Sequence, residues 1–178
     1  ITGFGQDGPY AKKPGYDFII QALSGIMDLT GEKDKEPQKM GVAFSDIFTG
    51  LYSVIAIQSA LTVREKTGKG QHIDMSLMDS MTAVLANQAL NYFISGNSPT
   101  RLGNKHPNIV PYQTFPTNDG FLVIAVGNNQ QFERLCKALE INDKSFLEEF
   151  NTNEKRVANR GKVVDIISEK TISFSKKS

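Results

Sequence analysis

The chain has 178 residues, 39% of them hydrophobic, and its 20 basic side chains nearly balance 19 acidic ones. This length allows one ordinary domain and part of a second, and the balanced charge gives no electrostatic reason to expect nucleic acid or an anionic membrane as a partner. The single cysteine excludes an intrachain disulfide framework, and no apolar run approaches the ~20 residues that cross a bilayer, so we expect a cytoplasmic protein.

The N-terminal third predicts turns, then one helix, then a loop. Residues 1–16 are rich in glycine and proline, which is typical of turns. Asp17 is a candidate N-cap for a first helix. The apolar stripe of that helix would consist of Phe18, Ile19, Ala22, Leu23 and Ile26. The charged run 31–37 predicts an exposed loop.

A long second helix is predicted from Ser45 or Asp46 to about Lys66, and Gly68 would end it. Its inward stripe at helical spacing would consist of Ile47, Leu51, Val54, Ile55, Gln58 and Leu61. Residues 72–75 alternate and predict a short strand. A third helix is expected from about Met78 to Phe93.

The C-terminal part predicts a hairpin followed by helices. Strands at 112–115 and 121–126 flank an Asp-Gly turn, which is a good hairpin signal. Helices are expected at 129–139, with Phe132, Leu135 and Cys136 facing inward, and at 160–169. The irregular, proline-containing stretch 97–111 is a candidate domain boundary, and Lys176 and Lys177 should form a solvated tail.

Asp46 is the most informative candidate for chemistry. Ser45 or Asp46 could simply cap a helix, which is the ordinary role for such residues. The alternative is that the carboxylate is a nucleophile at the positive end of a helix, where the anion is stabilised. From the residues alone, both interpretations stay open.

The remaining candidates favour structural roles. His106 lies in a loop with no cysteine, histidine or carboxylate close in sequence, and His72 lies in an apolar stretch. Two distant histidines and one cysteine give no spacing typical of a metal site. Cys136 should be a buried, inert thiol. The glycine-rich loop 3–9 is a weak phosphate-binding signal, because it lacks the Gly-x-Gly-x-x-Gly pattern.

Six short motifs occur in the order and at the spacing of a known enzyme family. They are 3–9 (GFGQDGP), 14–17 (PGYD), 22–25 (ALSG), 45–46 (SD), 66–74 (KTGKGQHID) and 111–115 (PYQTF). Through these motifs the chain resembles family III coenzyme A (CoA) transferases of the CaiB/BaiF type, up to about residue 165. The stretch 127–132 is similar to the dicarboxylate-type transferases.

The resemblance implies an α/β fold. Residues 1–96 would form the end of a Rossmann-like large domain and a helical linker that carries the catalytic aspartate. Residues 97–178 would begin a small α+β domain. We therefore expect the chain to be an internal part of a longer protein. The N-terminal half that carries most of the CoA site would lie outside it, and so would a glycine-rich loop that covers the aspartate. By itself the chain should not be a competent enzyme.

The resemblance also implies the chemistry. In the family, an aspartate at the position of Asp46 attacks an acyl-CoA, passes through a mixed anhydride and an aspartyl-CoA thioester, and returns CoA to an acceptor acid. Pro14, Gly15, Tyr16 and Asp17 correspond to the segment that lies along the CoA pantetheine. CoA and acyl-CoA are then substrates, with no permanently bound cofactor and no metal.

Two alternatives remain. Racemases of the same superfamily, which act on 2-methylacyl-CoA, carry a histidine at the position of Tyr16. A tyrosine, with a pKa of about 10, is a poor base at neutral pH, so transferase is favoured over racemase. The other alternative is an inactive fragment that only dimerises, since family members form interlocked homodimers. If the source is eukaryotic, a mitochondrial location is the alternative to the cytoplasm.

Overall fold

The structure is a computed structural model that describes residues 1–177. It contains two compact units, one of which is Ile1–Gly103, while the other begins at Asn104. The first unit is helical: α1 Asp17–Leu23, α2 Ile26–Leu29, α3 Phe44–Thr67, α4 Leu77–Val84 and α5 Ala86–Ser95. The second holds β1 Tyr112–Thr117, β2 Gly120–Ala125, α6 Asn129–Ala138, α7 Lys144–Glu149, α8 Asn153–Ala158 and α9 Arg160–Thr171.

The mixed α/β class is confirmed, as are the long helix α3, the hairpin and the helices near 129–139 and 160–169. The strand expected at 72–75 is wrong, because Ser76 forms only an isolated parallel bridge with Thr2. The expected third helix is interrupted after Val84, since Ala86, the first residue of α5, has φ +46°, outside the helical region. The division between units at Gly103 falls within 97–111, and their assignment to large and small family domains stays a prediction.

Neither expected N-cap is correct. Asp17 is the first residue of α1, which follows Tyr16 as its N-cap. The N-cap of α3 is Ala43, so Ser45 and Asp46 lie second and third in the helix. An alanine has no side-chain acceptor for the free N–H groups of a first turn. The acceptor has to come from elsewhere in the fold.

The inward faces of α1 and α3 differ from the predicted stripes. On α1, Phe18 is 56% exposed and Leu23 is 52% exposed, while Ile20 and Gln21 are fully buried. On α3 the buried residues are small and polar: Ser45, Thr49 and Ser53. Their spacing of four places them on one face, which packs against α1 and α4. The predicted stripe faces outward, and its residues Ile47, Leu51, Val54 and Ile55 are 50–60% exposed.

Two of the three hydroxyl groups on the inward face of α3 are satisfied within the helix. Thr49 Oγ1 donates to the Ser45 carbonyl at 2.7 Å, and Ser53 Oγ donates to the Thr49 carbonyl at 2.7 Å. Because the polar atoms are paired and the side chains are small, neighbouring helices can approach this face closely. Beside it, Ile20, Leu77 and Met81 form the apolar core of the first unit.

Helix α3 bears on the expectation about membranes. It has 24 residues and is long and apolar enough, by length and composition, to cross a bilayer. Core helices of soluble proteins can have the same length and composition. Here its polar face packs on two other helices of the unit, and an expectation of no membrane partner stays a prediction.

The second unit is built around the antiparallel hairpin and α6 to α9. Phe115 of β1, together with Phe132 and Cys136 of α6, contributes to its core. Cys136 is buried as expected, and burial raises the pKa of its thiol to about 11. Residues after α9 return to the hairpin turn, where the Lys176 N–H donates to Asp119 Oδ1 at 2.9 Å. The segment around Lys176 is therefore docked, although its side chain is exposed.

Arg156 of α8 is fully buried, and within residues 1–177 it has no carboxylate partner. Its Nε donates to the Val110 carbonyl at 2.7 Å, and one terminal nitrogen donates to the Phe150 carbonyl at 2.9 Å. The other terminal nitrogen donates to Asn129 Oδ1 at 3.0 Å. The guanidinium also lies over the Phe132 ring, at 4.3 Å from its centroid. One side chain thus joins α6, α7, α8 and the entry to β1.

We predict that Arg156→Met destabilises the second unit by about 2–4 kcal/mol, because the Val110 and Phe150 carbonyls lose their donor inside the core. Urea unfolding of the 178-residue chain, followed by circular dichroism, measures the change. Lys155→Met removes a positive charge from an exposed neighbour on α8 and should cost less than about 0.5 kcal/mol. Equal effects of the two changes would contradict this account.

The outward face of α3 predicts self-association of the isolated chain, since a contiguous apolar patch of this kind is rare on free monomers. Sedimentation velocity over a range of concentrations should show a mass that rises with concentration. Leu51→Lys should shift the chain toward monomer. Gln71→Lys, which adds the same charge at an exposed position beyond the end of α3, should not. A monomer at all concentrations would refute the prediction.

Candidate functional site

Asp46 lies in the first turn of α3 and is exposed. Among residues 1–177 its carboxylate makes no hydrogen bond or ion pair. The dipole of α3 contributes a positive partial charge at this end of the helix. The position therefore holds an accessible anion that is not committed to a structural partner.

The first turn of α3 is held by a carboxylate from another helix. Asp17 Oδ1 accepts hydrogen bonds from the Ser45 N–H at 2.9 Å and from the Ser45 Oγ at 2.8 Å. Ser45 is fully buried and Asp17 is half-buried, so this contact is partly shielded from water. Asp17 on α1 thus supplies the cap that Ala43 cannot, one residue before Asp46.

Gln21, which is fully buried, extends this contact to the loop before α3. Its Nε2 donates to Asp17 Oδ2 at 2.8 Å and to the Val42 carbonyl at 3.4 Å. Its Oε1 accepts from the Met40 N–H at 2.9 Å. We call Asp17, Gln21, Met40, Val42 and Ser45 the polar brace. The polar brace fixes the chain on the approach to Asp46 as well as the helix turn that contains it.

The segment that leads into α1 crosses the first glycine loop in direct backbone contact. A Cβ atom added at Gly15 would lie 2.4 Å from Gly3 Cα, and one added at Gly3 would lie 2.5 Å from Gly15 Cα. Thr2 is itself tied to the start of α4, through bonds to the Met75 carbonyl and the Leu77 N–H, both at 2.9 Å. Glycine is required here because backbone meets backbone.

The four residues expected along the CoA pantetheine differ in accessibility. Pro14 is exposed, and Tyr16 is 73% exposed. Gly15 is half-buried against Gly3, and Asp17 is half-buried with its carboxylate in the polar brace. Pro14 and Tyr16 can therefore meet a ligand, whereas both carboxylate oxygens of Asp17 are already occupied within the fold.

His106, the other candidate side chain, is half-buried in the second unit. Its Nδ1 accepts from the Asn108 N–H at 3.1 Å, and its ring lies 5.1 Å from that of Tyr112. Burial and the nearby Arg160 lower the pKa of His106, so the ring is neutral at pH 7. These contacts fit the structural role expected from the sequence. His72 is exposed.

Comparison with known proteins decides the family. The model of CoA-transferase family III matches residues 1–177. The chain belongs to CoA-transferase family III. This match includes the C-terminal residues, so the expectation that the likeness stops near residue 165 is wrong. The structural match is equally extensive: a CaiB/BaiF family protein from Brucella suis is 60% identical, with a TM-score of 0.79 over 99% of this chain and 47% of that one.

Two named relatives carry the comparison further. A succinate–glutarate CoA-transferase of Agrobacterium fabrum is 56% identical over 99% of this chain and 44% of its own length. The human succinyl-CoA:glutarate CoA-transferase is 44% identical over 96% of this chain and 39% of its own length. The chain thus spans less than half the length of these relatives. A Mycobacterium tuberculosis structure, 21% identical with a TM-score of 0.82 over 99% of this chain and 46% of that one, shares the fold.

Sequence reasoning identified Asp46 and Asp17 but not what connects them. Ser45 was considered only as a cap, and Gln21 was not considered at all. A weak signal for Gln21 exists, because it follows Asp17 by four residues and could therefore face it on a helix. The link from α1 to α3 spans 28 residues of sequence, and no local pattern reports it.

We predict that Gly15→Ala destabilises the first unit by about 1–3 kcal/mol, because the added methyl group meets the Gly3 backbone. Thermal unfolding of the chain measures the change. Gly50→Ala is the matched control, since a Cβ there meets nothing within 4 Å and alanine favours a helix interior by about 0.5–1 kcal/mol. A Gly15→Ala chain as stable as the parent would show that the two backbones are not in contact.

Proposed function

We propose that the protein containing this chain transfers CoA between an acyl-CoA and a free carboxylic acid, with Asp46 as the nucleophile. The observation that carries the proposal is an exposed, unpartnered carboxylate in the first turn of α3, in a chain of CoA-transferase family III. The names of the two relatives support dicarboxylic acids such as succinate and glutarate as the acyl groups.

The proposed reaction passes through two mixed anhydrides and one aspartyl-CoA thioester on Asp46. Asp46 attacks the thioester carbonyl of the donor acyl-CoA, which gives a mixed anhydride and CoA thiolate. The thiolate attacks the Asp46 carbonyl, which releases the donor acid and leaves an aspartyl-CoA thioester. The acceptor carboxylate then displaces the thiolate to form a second anhydride, and the thiolate takes its acyl group to regenerate Asp46.

The chain's own residues assist these steps in two ways. Asp46, in the first turn of α3, presents an exposed carboxylate at the end of the helix where the dipole is positive. Exposed Pro14 and Tyr16, on the segment entering α1, are accessible to the pantetheine arm of CoA. We further propose a cytoplasmic homodimer for the complete protein.

A racemase is the competing activity within the superfamily. Such chemistry needs a base that removes the proton next to the thioester carbonyl. Tyr16 is exposed, and no charged side chain among residues 1–177 makes a hydrogen bond with its hydroxyl. The described residues therefore give Tyr16 no partner that would help it to act as a base at neutral pH. Exchange of the α-proton with deuterated water, without acyl exchange between acids, would favour the racemase instead.

The proposal predicts a covalent adduct on Asp46. The complete protein is incubated with succinyl-CoA and quenched with hydroxylamine, which converts an anhydride or thioester at Asp46 to a hydroxamate that peptide mass spectrometry locates. Asp46→Ala should form no adduct and lose at least about 10³-fold in CoA exchange between succinate and glutarate.

Asp165→Ala is the control, since it removes an exposed carboxylate from α9 and should retain both the adduct and the exchange. An adduct that persists in Asp46→Ala would disprove the assignment. The isolated 178-residue chain should show no turnover, and normal turnover by it would show that the rest of the protein is dispensable.

A further inference from the structure

The first turn of α3 depends on a group outside α3. Its N-cap, Ala43, offers no side-chain acceptor, and the bond from the Ser45 N–H to Asp17 Oδ1 satisfies one of the free donors of that turn. The Ser45 Oγ donates to the same oxygen. Asp46 is the next residue, so the backbone from which its side chain projects is fixed by a carboxylate on α1.

We infer that Asp17 is a positioning residue for Asp46, acting through Ser45. This inference rests on the proposed function, because it assigns Asp17 a part in the reaction of Asp46. It also replaces the expectation that the Asp17 carboxylate lies along CoA. Three donors already engage that carboxylate, two from Ser45 and one from Gln21.

The surroundings make the position of Ser45 rigid. Ser45 and Gln21 are fully buried and Asp17 is half-buried, so the dielectric around these hydrogen bonds is lower than in water, which strengthens them. Gln21 cannot reverse its amide without cost, since its Oε1 accepts from the Met40 N–H while its Nε2 donates to Asp17. The polar brace therefore has one arrangement that satisfies every donor and acceptor in it.

Position matters for this nucleophile because attack on a thioester requires close approach along a defined direction. A displacement of about 1 Å can cost on the order of 10²-fold in rate. Loss of the cap would free the first turn of α3 to fray, and Asp46 would then sample many orientations. The rate of the chemical step would fall. The affinity for CoA would not change, because CoA binding does not involve the Asp17 carboxylate.

Two substitutions separate the parts of the contact. Asp17→Ala removes the acceptor for both Ser45 and Gln21. Asp17→Asn keeps a carbonyl oxygen for Ser45 but turns an amide donor toward the Gln21 Nε2 donor, so only the Ser45 half survives. The asparagine variant should therefore recover part of what the alanine variant loses.

The test uses the complete protein with succinyl-CoA and glutarate. For Asp17→Ala we expect kcat, and the single-turnover rate of adduct formation at Asp46, to fall about 10²-fold, with KM for succinyl-CoA within about three-fold of the parent. For Asp17→Asn, kcat and the single-turnover rate should fall by about ten-fold or less. Glu36→Ala, which removes an exposed carboxylate in the loop before α3, should match the parent, and melting temperatures verify that each variant is folded.

Each outcome has one meaning. A KM for succinyl-CoA that rises ten-fold or more with kcat unchanged would show that Asp17 binds CoA, and the inference would be wrong. Adduct formation in Asp17→Ala at the rate of the parent would also overturn the inference. In that case, the absence of an adduct in Asp46→Ala would still support the proposed function. If Asp17→Ala does not fold, Asp17→Asn and Ser45→Ala decide, since parent-like kcat in both would refute a positioning role. An adduct in Asp46→Ala refutes the proposed function itself.

Discussion

The contact between the Asp17 carboxylate and Ser45 is the constraint on which the arrangement of the first unit depends. It joins α1 to the first turn of α3 across a buried, polar interface. Helices usually pack through apolar stripes. Here small hydroxyl residues face inward, and Thr49 and Ser53 donate hydrogen bonds to carbonyl groups of their own helix. The specific polar contacts decide the register of α3 on α1, and the apolar side chains of α3 are left on the outside.

The second unit is organised by a comparable buried polar side chain, which is positively charged. Arg156 reaches two carbonyls and one amide oxygen that lie on different segments of the unit. In both units one buried charged or amide side chain satisfies backbone groups at the ends of several elements. Such groups would otherwise be buried without partners, which is costly. Each unit thus has a polar centre that specifies the geometry around which its apolar residues pack.

The sequence predicted the elements better than it predicted their faces. Local signals were sufficient for the C-terminal end of α3, where Gly68 adopts the left-handed conformation of a C-cap, and for the hairpin turn at Asp119-Gly120. The stripe of Ile47 and Leu51 was assigned inward because apolar side chains are expected to be buried within the chain itself. That expectation fails in a chain that spans less than half the length of its relatives.

The candidate site could be predicted only in part, because some of its features are local in sequence and others are not. Asp46 lies close to a helix start that periodicity reveals, and its family motif is local. The capping partner is not local: an acceptor on α1 replaces the N-cap side chain that Ala43 lacks, and only the folded structure brings the two helices together. The strand expected at 72–75 failed because pairing needs a neighbour, and Thr2 supplies a single bridge.

The crossing of Gly3 and Gly15 has a mechanical consequence. Two backbones in contact leave no gap in which one could slide past the other, since close-packed interiors transmit displacement instead of absorbing it. Thr2 is hydrogen-bonded to residues 75 and 77, so a ligand that pushes on Tyr16 would displace the glycine loop and the start of α4 together. The three chain segments, which are far apart in sequence, would therefore move as one body.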